Sequence, residues 1–126
     1  MIVKSSDSGQ EAHTLITEEL YQRMVENWRK SQSDEDHDPI PVVKLFTPDA
    51  SATWLLTEIN PDDPSAAFGL CDLGHGFPEL GYVSLKELAT IRGKLGLPVE
   101  RDLHFKGQHP LSVYAYRAQQ AGRIEE

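Results

Sequence analysis

Apolar side chains near the start of the chain recur with the period of a helix. They stand at positions i, i+1, i+4, i+5 and i+8, which places them on one stripe of a helix of about four turns. The stripe consists of Leu20, Tyr21, Met24, Val25 and Trp28. A stripe of this width needs an apolar surface to cover it, so this helix must dock on something.

Capping and charge signals agree with this helix. Thr17 is suited to be the N-cap, since its hydroxyl can accept a backbone N–H of the first turn. Glu18 then lies at the positive end of the helix dipole and Lys30 at the negative end. We predict an amphipathic helix over residues 14–30, preceded by a mobile polar tail over residues 1–13.

From Pro41 the pattern changes to short runs rich in β-branched and aromatic residues, separated by turn formers. The runs are PVVKLF, ATWLLTEI, SAAFGLCDL and LGYVS, and the separators are TPD, NPDDP and GHGFP. The short connections favour antiparallel neighbours. Residues 31–40 are polar and charged up to Pro39, and we interpret them as an acidic linker.

A second helix is predicted after the last of these runs. Ser84 and Glu87 form a capping box, and Gly96 with Pro98 would stop the helix. One side would be lined by Leu85, Leu88, Ile91 and Leu95.

The remaining elements are a fifth strand and a last helix. The run ERDLHF would place Leu103 and Phe105 on one face of the strand. Pro110 suits the first position of a helix that continues through Ala118, and residues 118–126 are predicted to fray. Residues 41–117 then form a single α+β core. We predict an antiparallel meander sheet of four or five strands, with N-terminal, middle and C-terminal helices packed on one face.

Composition narrows the classes of protein. With 126 residues the chain is one domain, and its net charge of -8 has the wrong sign for phosphate backbones. The single cysteine, Cys71, excludes an internal disulfide and any CxxC zinc knuckle. The sequence contains no apolar run that resembles a signal peptide or a membrane span, so we expect a cytoplasmic protein.

The sequence also resembles a family of small bacterial proteins catalogued as a domain of unknown function. Four long runs carry the resemblance, PVVKLFTPDASATWLLTEI, FGLCDLG, GFPELGYVSL and LGLPVERDLHF. The resemblance implies a gene on plasmids and integrative conjugative elements, and no established activity, cofactor or catalytic residue. Where members of the family often carry an aliphatic residue, this chain has His75, which argues against a general catalytic role for that histidine.

Candidate chemistry gathers around the predicted loop at residues 74–78. Cys71, Asp72, His75 and Glu79 are all zinc-ligand types, but Cys71 and Asp72 would point to opposite faces of a strand. The purely structural interpretation is a buried strand cysteine, a carboxylate at the strand end and a solvated loop histidine. A small metal-assisted hydrolase that combines Asp72, His75 and Glu79 with His104 is the enzymatic alternative.

An exposed aromatic side chain in this loop would suit protein binding. Phe77 lies between glycine and proline, where a large side chain has little chance of burial and could anchor a partner. We therefore predict a partner surface formed by His75, Phe77, Glu79, Asp62 and Asp63.

Three classes of function follow. The preferred one is a non-catalytic accessory protein of a mobile element that binds an unidentified protein, as a regulator, a counter-defence factor or an acidic mimic of DNA. The second is the hydrolase, and the third is weak nucleic-acid binding through Lys86, Arg92, Lys94 and Arg101. The sequence predicts no cofactor and does not indicate an oligomeric state.

Overall fold

The computed structural model describes residues 15–126, and the predicted tail at residues 1–13 lies outside them. The elements are α1 (Glu18–Ser33), β1 (Val43–Phe46), β2 (Thr53–Ile59), β3 (Ala66–Asp72), β4 (Glu79–Ser84), α2 (Leu85–Leu88), β5 (Glu100–Arg101) and α3 (Leu111–Ala121). The strands lie in the order β4-β3-β2-β1-β5, and every neighbouring pair is antiparallel. The predicted α+β class and the meander are confirmed.

Helix α1 forms where the apolar stripe predicted it. The Thr17 hydroxyl accepts the N–H of Leu20 at 3.1 Å, which confirms the predicted N-cap. The buried stripe residues Tyr21, Met24 and Val25 pack against the sheet. The side-chain amide of Asn27 donates to the carbonyl of Thr57 in β2 at 2.9 Å, so the helix is also tied to the sheet by a polar contact. The stripe therefore covers the protein's own core.

The sheet is covered on both faces, which corrects the prediction that all helices pack on one face. Trp54 and Leu56 of β2 lie in a core with α1 and α2, whereas Leu55 lies in a second core with α3. All three side chains are at most 1% exposed. The physical reason is the period of a strand, since consecutive apolar residues point to opposite faces and both faces then need cover.

Strands β2 and β3 pair around a β-bulge. The register shifts between Leu56 and Glu58, which leaves the buried Thr57 as an extra residue in β2. The Thr57 hydroxyl donates to the carbonyl of Phe68 at 3.2 Å, so the extra residue is still satisfied. Gly69 of β3 lies opposite Leu56 at this point, where the two backbones approach closely.

The predicted start of the middle helix at Ser84 is confirmed, but its predicted length is wrong. Ser84 is the N-cap and its hydroxyl accepts the N–H of Glu87 at 3.2 Å. Helix α2 nevertheless ends at Leu88 after one turn, which leaves Leu95 79% exposed.

A tertiary contact explains why α2 stops. The carboxylate of Asp49, in the turn after β1, accepts the N–H groups of Leu95 at 2.6 Å and Leu97 at 3.3 Å. Gly93 packs directly on this carboxylate, and a Cβ at Gly93 would lie 1.6 Å from it. The chain over residues 93–97 is thus held as a loop by a side chain more than forty residues away in sequence.

Removing the hydroxyl of Ser84 tests this cap. We expect Ser84→Ala to lower the free energy of unfolding by about 0.5 to 2 kcal/mol, because the N–H of Glu87 loses its acceptor. Urea unfolding followed by circular dichroism measures the change. Ser84→Asp keeps an acceptor at this position and should retain wild-type stability; equal losses in both variants would contradict a capping role.

The fifth strand is shorter than predicted, and the prediction that Leu103 and Phe105 share a face is wrong. Asp102 still donates its N–H to the carbonyl of Lys44 at 3.0 Å, but its carboxylate then accepts the N–H of His104 at 2.9 Å and turns the chain. Leu103 is left 74% exposed, while Phe105 packs in the core under α3. Lys44 of β1 and Asp102 form an ion pair at 3.6 Å.

The last residues are docked rather than frayed, which corrects the prediction for residues 118–126. Helix α3 continues to Ala121, and Ile124 packs against the core under α3. The N–H of Ile124 donates to Asp72 at 2.9 Å, and Glu126 forms an ion pair with Lys44. These contacts are all tertiary, so a tail without local structure signals still has a defined position.

The acidic linker is anchored as well. Asp38 accepts the N–H of Ser112 at 3.1 Å and the Ser112 hydroxyl at 2.5 Å, at the start of α3. Pro110, the N-cap residue of α3, makes no side-chain cap bond, so a carboxylate from elsewhere in the chain supplies the acceptor and complements the helix dipole.

Candidate functional site

The loop between β3 and β4 presents its large side chains to solvent. Gly74 and Gly76 have φ angles of 84° and 90°, a conformation that glycine adopts without a Cβ penalty. The loop leaves Phe77 79% exposed and Leu73 59% exposed, and His75 is exposed too. The predicted exposure of Phe77 is therefore confirmed.

Asp72 lies at the base of this loop, and its carboxylate accepts hydrogen bonds from two backbone N–H groups. The residue is 3% exposed; Oδ1 accepts the N–H of Gly74 at 2.8 Å and Oδ2 accepts the N–H of Ile124 at 2.9 Å. Both oxygens thus hold structural partners, and the group joins the loop to the C-terminal segment. Asp72 is thus the carboxylate at the strand end that the purely structural interpretation predicts.

The zinc-ligand types of this region are not brought together. Cys71 packs towards the core under α1, whereas Asp72 points to the face under α3, in agreement with the predicted alternation. Among residues 15–126, no group of three histidine, cysteine, aspartate or glutamate side chains is placed to share a metal ion. The geometry therefore gives no support to a site of Cys71, Asp72 and His75.

The hydrolase arrangement is also dispersed. His104 follows β5 at one edge of the sheet, while Asp72 ends β3 and Glu79 begins β4 at the other edge. β3 and β5 are separated by three strand spacings, roughly 14 Å. His104 is therefore beyond hydrogen-bond reach of either carboxylate, and no common reaction centre forms from these groups.

Cys71 is held as a neutral thiol. Burial, together with the negative charge of Glu79, its cross-strand partner, raises the pKa of Cys71 to about 11. The thiolate, which is the nucleophilic form, is then about one part in a thousand at pH 8. This environment is the opposite of the electropositive one that activates a catalytic cysteine.

Alkylation of Cys71 tests this environment. Because only the thiolate reacts, we expect iodoacetamide to modify folded protein at pH 8 about 100-fold more slowly than protein unfolded in urea. Between pH 8 and pH 10 the rate for folded protein should rise about tenfold per pH unit, since the pKa lies above this range. Mass spectrometry follows the reaction; equal rates in folded and unfolded protein would contradict the raised pKa.

The five predicted partner-binding residues fall into two separate places. Asp62 and Asp63 occupy the turn between β2 and β3, where Asn60 accepts the N–H of Asp62 at 2.9 Å. His75, Phe77 and Glu79 lie at the opposite end of β3, roughly 20 Å away along a seven-residue strand. Asp62 and Asp63 act as turn residues and do not share a surface with Phe77.

The basic residues of the nucleic-acid alternative do not form a helix face. Lys86 lies on the single turn of α2, while Arg92 and Lys94 follow it in the loop. Arg101 is partly buried and donates to the carbonyl of Leu15 at 2.7 Å, and Arg92 donates to two carbonyls of its own loop. Arg92 and Arg101 line one open cleft of about 500 Å³, but both guanidinium groups already have protein partners.

Comparison with known protein families assigns this chain to a family. The family model described as "Protein of unknown function (DUF2958)" matches residues 15–125. The chain belongs to the DUF2958 family. No curated protein and no solved structure matches the sequence. Within the described part of the DUF2958 chain, no helix is long and apolar enough to cross a membrane.

Strand β4 of the DUF2958 protein adds exposed residues that the sequence analysis missed. Leu80 is 48% exposed and Tyr82 is 62% exposed, although both belong to a strand. The Tyr82 ring packs edge to face on the ring of Phe68, with centroids 5.1 Å apart. The strand follows Phe77 directly, so exposed apolar side chains continue from the loop along β4. The run LGYVS contained this signal, but its position at the edge of the sheet was needed to recognise it.

Proposed function

We propose that this DUF2958 protein is a non-catalytic accessory protein of a bacterial mobile element, which acts in the cytoplasm by binding another protein. The observation that carries the proposal is Phe77, a large aromatic side chain that is 79% exposed in a glycine-bounded loop. Aromatic side chains in such positions are frequent anchors of protein interfaces, because they bury a large area at a small entropic cost.

The polar groups around the loop favour binding over catalysis. Asp72 is committed to two backbone N–H groups, Cys71 is held protonated, and His104 lies at the far edge of the sheet. Among these groups no acid, base and nucleophile converge, as a hydrolase would need. What remains near Phe77 is exposed apolar surface, which is typical of the centre of a protein interface.

The acidic balance of the chain bears on the type of partner. A net charge of -8 attracts basic surfaces, among them the DNA-binding channels of host proteins. A regulator or counter-defence factor that acts by mimicry of DNA would combine this charge with the Phe77 anchor. Its binding would weaken as salt screens the charges, whereas an apolar interface would persist.

A capture experiment with matched variants tests the proposal. Tagged wild-type protein, Phe77→Ala and Leu95→Ala are used to capture proteins from lysate of a bacterium that carries the element, at low and at high salt. Leu95 is the control, because it is 79% exposed like Phe77 but lies in the loop after α2.

We expect wild-type and Leu95→Ala protein to retain one stoichiometric partner, and Phe77→Ala to lose at least about tenfold of it. Equal capture by all three proteins would overturn the role of Phe77. Capture of no partner at either salt concentration would overturn the proposal of protein binding itself.

A further inference from the structure

The two edges of the sheet differ in how they are protected. β5 is two residues long and both residues, Glu100 and Arg101, are charged, which are common devices against edge-to-edge pairing. β4 is six residues long, contains neither lysine nor proline, and carries one charge, at Glu79. Among residues 15–126 no strand pairs with its outer edge. An unprotected edge of this length is a template for another strand.

The hydrogen-bond pattern fixes which groups of β4 face outwards. Leu85 donates its N–H to the carbonyl of Ser65 at 2.7 Å, and the register of β3 with β4 continues from that pair. Antiparallel strands alternate between bonded and non-bonded pairs, so Gly81 and Val83 bond to β3. The N–H and C=O groups of Leu80 and Tyr82 therefore point away from the sheet.

The side chains at these same positions are apolar and solvent-exposed. Leu80 and Tyr82 pair with Leu70 and Phe68, which places them on the face covered by α3. Helix α3 has the sequence LSVYAYRAQQA, which contains no acidic residue. In a chain of net charge -8, the β4 positions on this face thus carry exposed apolar side chains, outward backbone groups and no carboxylate, and Asp72, which points to the same face from β3, is only 3% exposed.

We propose that β4 pairs with β4 of a second copy of this chain, antiparallel about a two-fold axis at Gly81, to give a continuous ten-stranded sheet. In this register Leu80 of each protomer lies opposite Tyr82 of the other, and their outward N–H and C=O groups bond reciprocally. Gly81 lies on the axis opposite itself, where nothing lies within 4 Å of a Cβ built on it.

A second copy fits this edge better than a partner chosen by charge. Two molecules of charge -8 repel each other except through surfaces free of carboxylates, and the α3 side of the β4 edge is such a surface. The edge is also self-complementary, since the outward residues of one protomer meet the outward residues of the other in the same register. Symmetric two-fold pairing of one patch with itself is the commonest form of protein oligomer.

The available area is sufficient for a stable dimer. Aromatic side chains carry about 150 to 250 Å² each, and Tyr82 exposes most of its side chain next to the partly exposed Leu80. With the edge backbone, each protomer can bury several hundred Å², near the roughly 600 to 1,000 Å² per partner of a standard interface. This dimer goes beyond the proposed function and does not depend on it, because the pairing needs no other protein.

Solution mass with matched lysine variants is the first test. Light scattering after gel filtration, at about 100 µM protein, should give twice the protomer mass of 14.1 kDa. Tyr82→Lys should give the protomer mass, because a lysine at the edge opposes strand pairing. Leu95→Lys is the control, because it also replaces an exposed apolar residue with lysine but lies in the loop after α2. This variant should remain dimeric. A wild-type protein of protomer mass, or a Tyr82→Lys protein that stays dimeric, would overturn the proposal.

A disulfide across the two-fold axis tests the register by trapping the dimer, whereas the lysine variant tests it by disrupting the dimer. Non-bonded antiparallel pairs place Cα atoms about 4.5 Å apart, within the range that a disulfide spans. Gly81→Cys in a Cys71→Ala background should therefore form a covalent dimer on mild oxidation; Cys71 is replaced because its thiol lies 3.9 Å from the Gly81 carbonyl and could form a bridge within one chain. Leu95→Cys in the same background should stay monomeric on a denaturing gel. Equal cross-linking of both variants would overturn this register.

Hydrogen exchange distinguishes protection of the β4 edge by a second copy from protection by another segment of the same molecule. The amides of Leu80 and Tyr82 should exchange slowly at high protein concentration and at least about tenfold faster on dilution, while those of Gly81 and Val83 stay protected throughout. Slow exchange at all four positions at every concentration, in a protein of protomer mass, would mean intramolecular cover and would overturn the dimer. The loss of a captured partner in Phe77→Ala, with the dimer mass unchanged, would test the proposed function separately.

Discussion

Replacing Trp54 with alanine is expected to lower the free energy of unfolding by about 3 to 5 kcal/mol. The side chain is 1% exposed and lies in β2, between Leu45 of β1 and Cys71 of β3, in the core under α1. Truncation removes the transfer free energy of the indole and leaves a cavity between a sheet and a helix that are tied to each other elsewhere, which limits collapse.

Urea unfolding followed by far-ultraviolet circular dichroism measures this loss. Phe77→Ala is the matched control, because it removes an aromatic ring of similar area that is 79% exposed and should change stability by less than about 0.5 kcal/mol. A loss below about 1 kcal/mol for Trp54→Ala would mean that the core around β2 is not packed as described.

Replacing Gly69 with alanine is expected to cost about 3 kcal/mol or more, an unusually large effect for the addition of one methyl group. A Cβ at Gly69 would lie 2.0 Å from the carbonyl oxygen of Leu55 and 2.7 Å from the Cα of Leu56. Both atoms are backbone atoms of the central strand next to its bulge, so no side chain can rotate away to make room.

The control for Gly69 lies directly across the next strand pair. Gly81 is the registered partner of Gly69 in β4, and no atom lies within 4 Å of a Cβ built there. Gly81→Ala should therefore change the free energy of unfolding by less than about 0.5 kcal/mol in the same assay. Similar losses in both variants would show that strand glycines act through backbone entropy and not through the close approach at the bulge.

Local signals predicted the elements whose ends are determined by their own side chains. The Thr17 cap, the stripe of α1 and the Ser84 cap depend on residues within one or two helical turns, and all three are present. The strands from β1 to β4 were recognisable because each buries apolar residues between turn-forming segments. The meander followed from the short connections between them.

Elements that end through distant contacts were predicted less well. The prediction makes α2 about two turns too long, because Leu88, Ile91 and Leu95 keep a helical period while Asp49 binds the loop that replaces the helix. The prediction that the C-terminal residues fray is wrong because their anchors, Asp72 and Lys44, belong to the distant strands β3 and β1. The consecutive apolar run at Trp54 is typical of a strand covered on both faces, since a strand covered on one face alternates, but the prediction of helices on one face did not use this signal.

For the candidate site, the sequence identified an exposed aromatic residue but not the surface that surrounds it. Phe77 could be recognised from glycine and proline on either side, because that context prevents burial in a regular element. Tyr82 has the composition of an ordinary core strand, and its exposure depends on β4 being the last strand of the sheet. Asp62 and Asp63 were grouped with Phe77 although a whole strand separates them.

Local signals in the sequence specify the class of fold, the position of each capped helix start and the membership of β1 to β4 in an antiparallel sheet. These features depend on periodicity, capping and turn chemistry, which act over a few neighbouring residues. The tertiary structure decided which face each helix covers, where α2 and β5 end, and which edge of the sheet stays open. Those outcomes depend on which distant groups complete each other's hydrogen bonds and burial, and single contacts such as Asp49 with Leu95 or Asp72 with Ile124 are specified only once the chain has folded.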